Sequence, residues 1–390
     1  RGVPKPLAFA QAAERFAPWR EKIVALVYPG PPSADPYEYE FGQRDHLARA
    51  LEGCRDDDLI VYSDADEIPD PANAALRPVR KPLLGHRQRL AIGYVNRIWP
   101  EPWVGTRSLT FAELRKFGKF SQLRMRAEEE FEIVEGGWHF SGMGGAAAYR
   151  RKMMSYAHLE YDLPYYTDLR RLQVEMENEN EAKWVPLDDT FPAVLREPRW
   201  AAYVWEKPES ASPATVAALK HAHGCFAYVP VDAESIAVIG EGEGAAWLDA
   251  GRERFGERFA GRNPGGAQWV VIDGLQRIDP STLAGLRDAG ARIVAHAPNA
   301  RSFRTFEDVL AGKPFPSGRA LGRGDYEAIA SAYGRLTALD RLQTLGAFTP
   351  WSRMPETISN AWLGDFGFPQ TTRAAIADFL AEAFILRLEP

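Results

Sequence analysis

The sequence predicts an α/β protein built as two domains, and three observations carry that prediction. Short apolar, β-branched runs end in glycine, proline or acidic residues and alternate with segments of helical periodicity. The chain, 390 residues long, exceeds the usual size of one compact domain. A polar, Pro- and Ser-rich stretch, EKPESASPAT, follows Trp205 and reads as a linker. The expected division is a first domain over residues 1–205, a linker over 206–221 and a second, smaller α/β domain with a helical tail over 222–390.

Residues 22–28, KIVALVY, form an apolar run halted by Pro29, Gly30, Pro31 and Pro32, which predicts a buried strand and a rigid turn. Residues 37–51 place Leu47, Ala50 and Leu51 at helical spacing and end near Gly53. Residues 59–62, LIVY, predict a second buried strand, stopped by Asp64, Asp66, Glu67 and Pro69. Strand, helix, strand in that order predicts a parallel, Rossmann-type sheet with helices. Further strands are expected over 90–94 and 131–140, separated by a Trp- and Arg-rich stretch without clear periodicity. A helix over 143–159 is entered through Gly142, Gly144 and Gly145. In the second half, strands are expected over 226–231, 236–239, 269–272 and 291–295, with a helix over 281–289 and helical segments over 326–345 and 372–388. No internal repeat or low-complexity tract is present.

Hydrophobic residues at 45% and charged residues at 26% supply a real core and exclude wholesale disorder. A net charge of -6 and a pI near 5.8 carry no electrostatic footprint for nucleic acid. Cys54 and Cys225 are far apart and lack metal-ligand spacing, so a reducing, cytoplasmic setting is expected. No stretch nears the roughly 20 apolar residues that span a bilayer, and no signal peptide is seen. Ala- and Arg-rich usage with few cysteines suggests a bacterial cytoplasmic protein.

The chemistry concentrates in residues 59–67, LIVYSDADE, where Asp64 and Asp66 stand two apart at the end of a buried strand. Ligands of open α/β sheets bind just outside such strand ends. In extended geometry the two carboxylates point to one side and can approach one hard cation through oxygen, manganese or magnesium. That cation would bridge the phosphates of a nucleotide sugar and stabilise the charge growing on the leaving diphosphate. Capping of a helix or solvation of a turn is the competing use of the same aspartates.

Five segments, in order, resemble one family. Pro4-Lys5-Pro6-Leu7, Gln43-Arg44-Asp45, Ser63-Asp64-Ala65-Asp66-Glu67-Ile68-Pro69, Gly137-Trp138-His139-Phe140-Ser141 and Ala157-His158-Leu159-Glu160-Tyr161-Asp162 are similar to the motifs of the family-17 glycosyltransferases. This is the group of the bisecting β-1,4-N-acetylglucosaminyltransferase. Asp45 departs from the family's Gln-Arg-Asn. The resemblance covers residues 1–205 and implies a GT-A-like fold, a UDP-N-acetylglucosamine donor, a glycan acceptor and inversion at the anomeric carbon. Family members carry a strand-helix-strand unit before the PKPL motif, near which this chain begins.

Inverting transfer needs a general base on the acceptor hydroxyl, opposite the leaving diphosphate, and Glu160 and Asp162 are the candidates. A run of helix would put His158 and Asp162 on one face, and His158 is a candidate third metal ligand beside Asp64 and Asp66. His139, Lys5, Arg44, Arg124 and Lys152 are candidates for the donor's phosphates. Trp103 and Trp138, with Trp99, are plates suited to stacking on a sugar, and the first two are the acceptor-site candidates. Gly142, Gly144 and Gly145 lead into a helix whose free N–H groups could receive phosphate.

Two other readings stand beside the transferase. One is a carbohydrate- or partner-binding protein that retains the fold without turnover. In the other, a Rossmann-like, methyltransferase-like second half carries the activity, on the strength of Ile239-Gly240-Glu241-Gly242-Glu243-Gly244. Glu241 and Glu243 face a phosphate unfavourably there.

Overall fold

The computed structural model describes residues 6–30, 35–73, 75–126, 130–206, 210–240, 244–298, 321–342, 381 and 383–390. The chain forms two compact units, Arg1–His158 with Glu181–Lys207, and Leu159–Asn180 with Pro208–Pro390. The second unit thus takes in a segment from the expected first domain and is not the smaller. The expected linker also contains helix: Ser212 caps a helix by accepting from the Thr215 N–H at 3.2 Å, and Pro213 suits its first position.

In the first unit, helix α1 (Pro36–His46) starts at Asp35, whose carboxylate accepts from the Tyr37 N–H at 2.9 Å. It is followed by β1 (Leu59–Tyr62), β2 (Glu67–Pro69), β3 (Leu84–Ile92), β4 (Arg97–Ile98) and β5 (Trp103–Thr110). Helices α2 (Phe111–Phe117) and α3 (Phe120–Arg124), strand β6 (Glu132–Ser141), helix α4 (Gly145–Met153) and strand β7 (Lys183–Trp184) follow, beside short helical turns. One sheet runs β1-β5-β3-β4-β7, with β6 joining β3 to β2. Among the described residues of this sheet, only β3 and β6 pair in parallel; the other pairings are antiparallel.

That pattern corrects the parallel pairing expected of the opening strands. Strand β1 lies against β5, Leu59 opposite Thr110 and Tyr62 opposite Arg107, and β5 comes from the stretch without clear periodicity. Residues 22–28 form no strand; Val24 and Val27 stand 65% and 60% exposed, because an apolar run becomes a strand only where a sheet edge receives it. The helix expected over 143–159 ends at Met153, and turns follow.

The sheet carries a core of Ile60, Tyr62, Leu83, Leu109, Phe120, Leu123 and Phe131, with Leu114 of α2 above it. Gly137 in β6 holds φ +104° and a Cβ there would lie 2.4 Å from the Ile68 carbonyl oxygen. Glycine is what lets β2 lie against β6 at this point, with Glu67 opposite His139.

The second unit comprises α5 (Leu169–Glu177), α6 (Pro213–Phe226), β8 (Ile236–Gly240), α7 (Ala245–Phe255), β9 (Phe259–Gly261) and β10 (Trp269–Asp273). It continues with α8 (Pro280–Asp288), β11 (Arg292–Pro298), α9 (Arg323–Tyr333), β12 (Arg335–Leu342) and β13 (Ala383–Glu389). Its sheet order is β12-β13-β11-β10-β8-β9, with β8 to β11 parallel and β13 antiparallel to both neighbours. Ile272, Ile293, Tyr326, Tyr333 and Phe384 lie in one buried cluster.

Two expectations fail in this unit. Phe226 ends helix α6, fully buried, instead of opening a strand over 226–231. The tail expected to be helical contains α9, but Arg335–Leu342 and Ala383–Glu389 are strands. Ala383 to Leu386 are all buried, with β13 inserted between β11 and β12, and such a continuous apolar run carries no period that separates strand from helix. Residues 343–380 lie outside the described residues.

Candidate donor site around the acidic turn

Strand β1 ends at Tyr62 and the chain turns at once: the Glu67 N–H donates to the Asp64 carbonyl at 3.0 Å. Ser63 Oγ donates to the Glu67 carbonyl at 2.8 Å and bonds Thr106 Oγ1 of β5 at 2.8 Å. The Asp66 carbonyl accepts from the Phe140 N–H at 2.8 Å, which ties the turn to β6. The extended geometry expected at Asp64 and Asp66 is therefore replaced by a turn, and each carboxylate has its own set of partners.

Asp64 meets two guanidinium groups. Arg44 of α1 donates to Oδ1 at 2.7 Å and to Oδ2 at 3.2 Å, and it also reaches the Tyr62 hydroxyl at 2.6 Å and Glu40 at 3.0 Å. Arg124 of α3 donates to Oδ2 at 2.9 Å and also holds Glu67. Asp45, the residue that departs from the family motif, accepts from the Ser121 N–H at 2.9 Å and so fixes the start of the helix that carries Arg124. An asparagine oxygen would accept that N–H equally well.

Asp66 faces the other pair. Lys152 of α4 lies 3.2 Å from its Oδ2 and donates to Ser141 Oγ at 2.7 Å, and His139 Nε2 lies 3.4 Å from the same oxygen. Burial alone raises the Asp66 carboxyl, but the His139 hydrogen bond and the Lys152 charge outweigh it and hold the group well below the usual carboxylate range.

Glu67, read from sequence only as an additional acid, is the buried keystone of the turn. Its side chain is fully enclosed. It accepts from Arg124, from Trp103 Nε1 at 2.7 Å, from Thr106 Oγ1 at 3.3 Å and from the Asp64 N–H at 3.2 Å. Burial pushes its carboxyl up, and the Arg124 contacts prevail and keep it ionised. Gly105 makes room for it, since a Cβ there would lie 2.1 Å from Glu67 Oε1. Tyr62 and Thr106 were not singled out from sequence, whereas Ser141 shares the motif and the strand face of His139.

The structure thus gathers Arg44, Asp64, Asp66, Arg124, His139 and Lys152 around one turn. Others fall elsewhere. His158 Nδ1 bonds the Tyr37 hydroxyl at 3.2 Å, and its ring packs against Tyr156. Among the described residues, Asp64, Asp66 and His158 do not form a group within ligand reach of one another, which corrects the three-residue metal set. Glu160 and Asp162 belong to the second unit, on and just after a 3-10 turn, Leu159–Tyr161, so no helix places His158 and Asp162 on one face.

Trp103 is 36% exposed, its N–H committed to Glu67 and its ring 5.0 Å from that of His139. What it leaves exposed is part of its ring, its N–H being already engaged. Trp138 packs beside Val95 and Phe191 and lines a cleft of about 270 Å³ with Arg87, Glu135 and Thr190, but its Nε1 is buried without a partner. Lys5 lies outside the described residues, as do Glu241, Gly242 and Glu243 of the second unit's glycine turn. Cys54 and Cys225 are free thiols. No helix among the described residues is long and apolar enough to cross a membrane.

Comparison with known proteins agrees with the motifs. Residues 1–178 match the model of glycosyltransferase family 17. No curated protein matches the chain by sequence. Among solved structures, a chain from the complex between the Haloferax volcanii Trm112 methyltransferase activator and a methyltransferase is 12% identical, covering 43% of this chain and 87% of its own, with a TM-score of 0.26. A SAM-dependent methyltransferase from Archaeoglobus fulgidus is likewise 12% identical, over 41% of this chain and 87% of its own, also with a TM-score of 0.26. Likeness at that level carries no conclusion about activity. The family resemblance read from the five ordered motifs is a match to glycosyltransferase family 17 over residues 1–178.

Proposed function

We propose that the acidic turn is the donor diphosphate site of a metal-dependent, inverting glycosyltransferase that moves N-acetylglucosamine from UDP-N-acetylglucosamine to a glycan acceptor. The observation that supports this reading most is convergence. Side chains from four separate motifs or elements, Arg44, Asp64 with Asp66, His139 and Lys152, meet within hydrogen-bonding distance of one turn.

The donor chemistry suits manganese or magnesium. Carboxylate oxygen is the ligand these hard cations take, and Lys152 and His139 both address Oδ2 of Asp66, leaving Oδ1 for a cation. Asp66 would hold it directly, with Asp64 beside it. When bound, the cation offsets charge that grows on the leaving diphosphate.

The chain's own residues supply the rest. Arg44 and Arg124 both pair with Asp64 and fix its direction. Lys152, partly exposed beside Asp66, can turn its ammonium toward a phosphate oxygen. Trp103 presents a ring face for stacking on a sugar, and Trp138 on its cleft is the second acceptor candidate. A cytoplasmic setting goes with the two free thiols.

The test is a panel of UDP, GDP, CDP and their sugars added to the full chain with manganese and followed by ligand-observed NMR. The reading expects UDP and UDP-N-acetylglucosamine to bind in preference to the others. Absence of binding by every nucleotide diphosphate would reject it.

A further inference from the structure

We infer that His221, Asp273 and His296 form a binding site for a divalent transition-metal ion of the zinc or iron(II) type, built wholly within the second unit. Strands β10 and β11 are parallel and in register, with Asp273 opposite His296, and Gly240 at the end of β8 lies opposite Asp273 on its other side. These positions stand toward the carboxyl ends of the parallel strands, where open α/β sheets present their ligands. His221 comes to them from helix α6.

The three donors converge. His221 Nε2 and His296 Nδ1 each lie 2.9 Å from the same oxygen, Asp273 Oδ1, and the ligand atoms of all three residues fall within 4.8 Å of one another. Tetrahedral zinc, at about 2.0–2.1 Å from nitrogen and oxygen ligands, sets its donors roughly 3.3 Å apart, so small side-chain shifts suffice to seat an ion. Both rings bond one oxygen, Asp273 Oδ1, which brings the three donor groups to one place.

The surroundings are those of a ligand set held in place. The Tyr165 hydroxyl lies 2.8 Å from His221 Nδ1, which leaves Nε2 as the nitrogen turned to Asp273. The Trp247 ring meets the His221 ring at 5.2 Å in an edge contact, and the two imidazole rings are 4.3 Å apart. Asp273 is buried and His221 partly exposed, its side chain 23% accessible. Two imidazoles and one carboxylate select a borderline transition metal over magnesium or calcium, which take oxygen ligands. Three protein ligands leave at least one position for water or a small ligand, which distinguishes the site from a closed structural one.

Cobalt(II) is the probe, because its visible absorption reports nitrogen-ligated, low-coordinate sites. The full chain, stripped with chelator, is titrated with cobalt and then with zinc. The inference expects one equivalent of cobalt to produce visible absorption that zinc abolishes. His296→Gln and Asp273→Asn should each weaken binding about 100-fold, and Tyr165→Phe about 10-fold, the range seen for lost supporting contacts and beyond. Asp66→Asn should leave the titration unchanged. His221→Gln, at a partly exposed position, serves if a buried variant fails to fold. No cobalt spectrum in the wild-type chain, a spectrum that persists in natively folded His296→Gln and Asp273→Asn, or one that disappears with Asp66→Asn would each overturn the inference.

Discussion

Replacing Arg124 by methionine tests how the acidic turn is held. The substitution keeps the aliphatic stem and removes the guanidinium from Glu67, whose side chain is fully enclosed, and from Asp64 at 2.9 Å. Breaking one partner of a buried ion pair costs about 3–5 kcal/mol. Glu67 keeps the Trp103 N–H at 2.7 Å, the Asp64 N–H at 3.2 Å and the Thr106 hydroxyl at 3.3 Å, which places the expected loss at the lower end. A loss of about 3 kcal/mol in a unit of this size lowers its melting temperature by about 6–12 °C. Scanning calorimetry of the full chain follows the loss, and Arg124→Met combined with Glu67→Gln measures the coupling. Because Gln removes the stranded charge, the double variant should lose about 2 kcal/mol less than the two single losses added together. A single-variant loss under about 1 kcal/mol, or additive losses, would refute the role given to this pair.

Three further outcomes are expected. Lys152→Met should weaken UDP binding about 10-fold with a stability change within about 1 kcal/mol, since its pair with Asp66 is partly exposed; isothermal titration with parallel melting separates the two effects. Gly137→Ala should destabilise the first unit by about 2 kcal/mol or more, because a Cβ meets the Ile68 carbonyl at 2.4 Å on a backbone with φ +104°, and urea unfolding measures it. Glu132 accepts from the N–H groups of Lys81 at 2.7 Å and Val79 at 3.0 Å, as well as from Arg80, and these bonds lower its carboxyl. A depressed folded-state value means stability present above the unfolded value of about 4.3 and lost as pH falls through the folded one. NMR titration should find Glu132 below the ordinary glutamate range, and Glu132→Gln should flatten the acid limb of unfolding.

What could be read from sequence follows the kind of force involved. Strands 59–62, 236–239, 269–272 and 291–295 are apolar runs that fold as strands because their own composition demands burial, and each is found. Asp64 and Asp66 were visible because they end such a run. Their geometry was not, since the turn depends on Thr106 and Phe140, which lie far off in sequence. The pairing of β1 with β5 was hidden for a related reason: Trp103–Thr110 is buried on both faces over much of its length and shows no alternation. Residues 383–389 failed similarly, as a strand enclosed between two others. His221, Asp273 and His296 come from a helix and two strands, and no local spacing announces them. The one signal available was a polar residue at or near the end of each of two apolar strands, WVVID and RIVAHAP.

The central claim is that the turn at Asp64 and Asp66 binds the diphosphate of a nucleotide sugar through a cation, and calorimetric titration of the full chain with UDP tests it most directly. The account predicts binding with manganese or magnesium present, none after chelation, and loss of binding in Asp66→Asn while the melting profile stays native. UDP binding that ignores both the cation and the Asp66 substitution would contradict it.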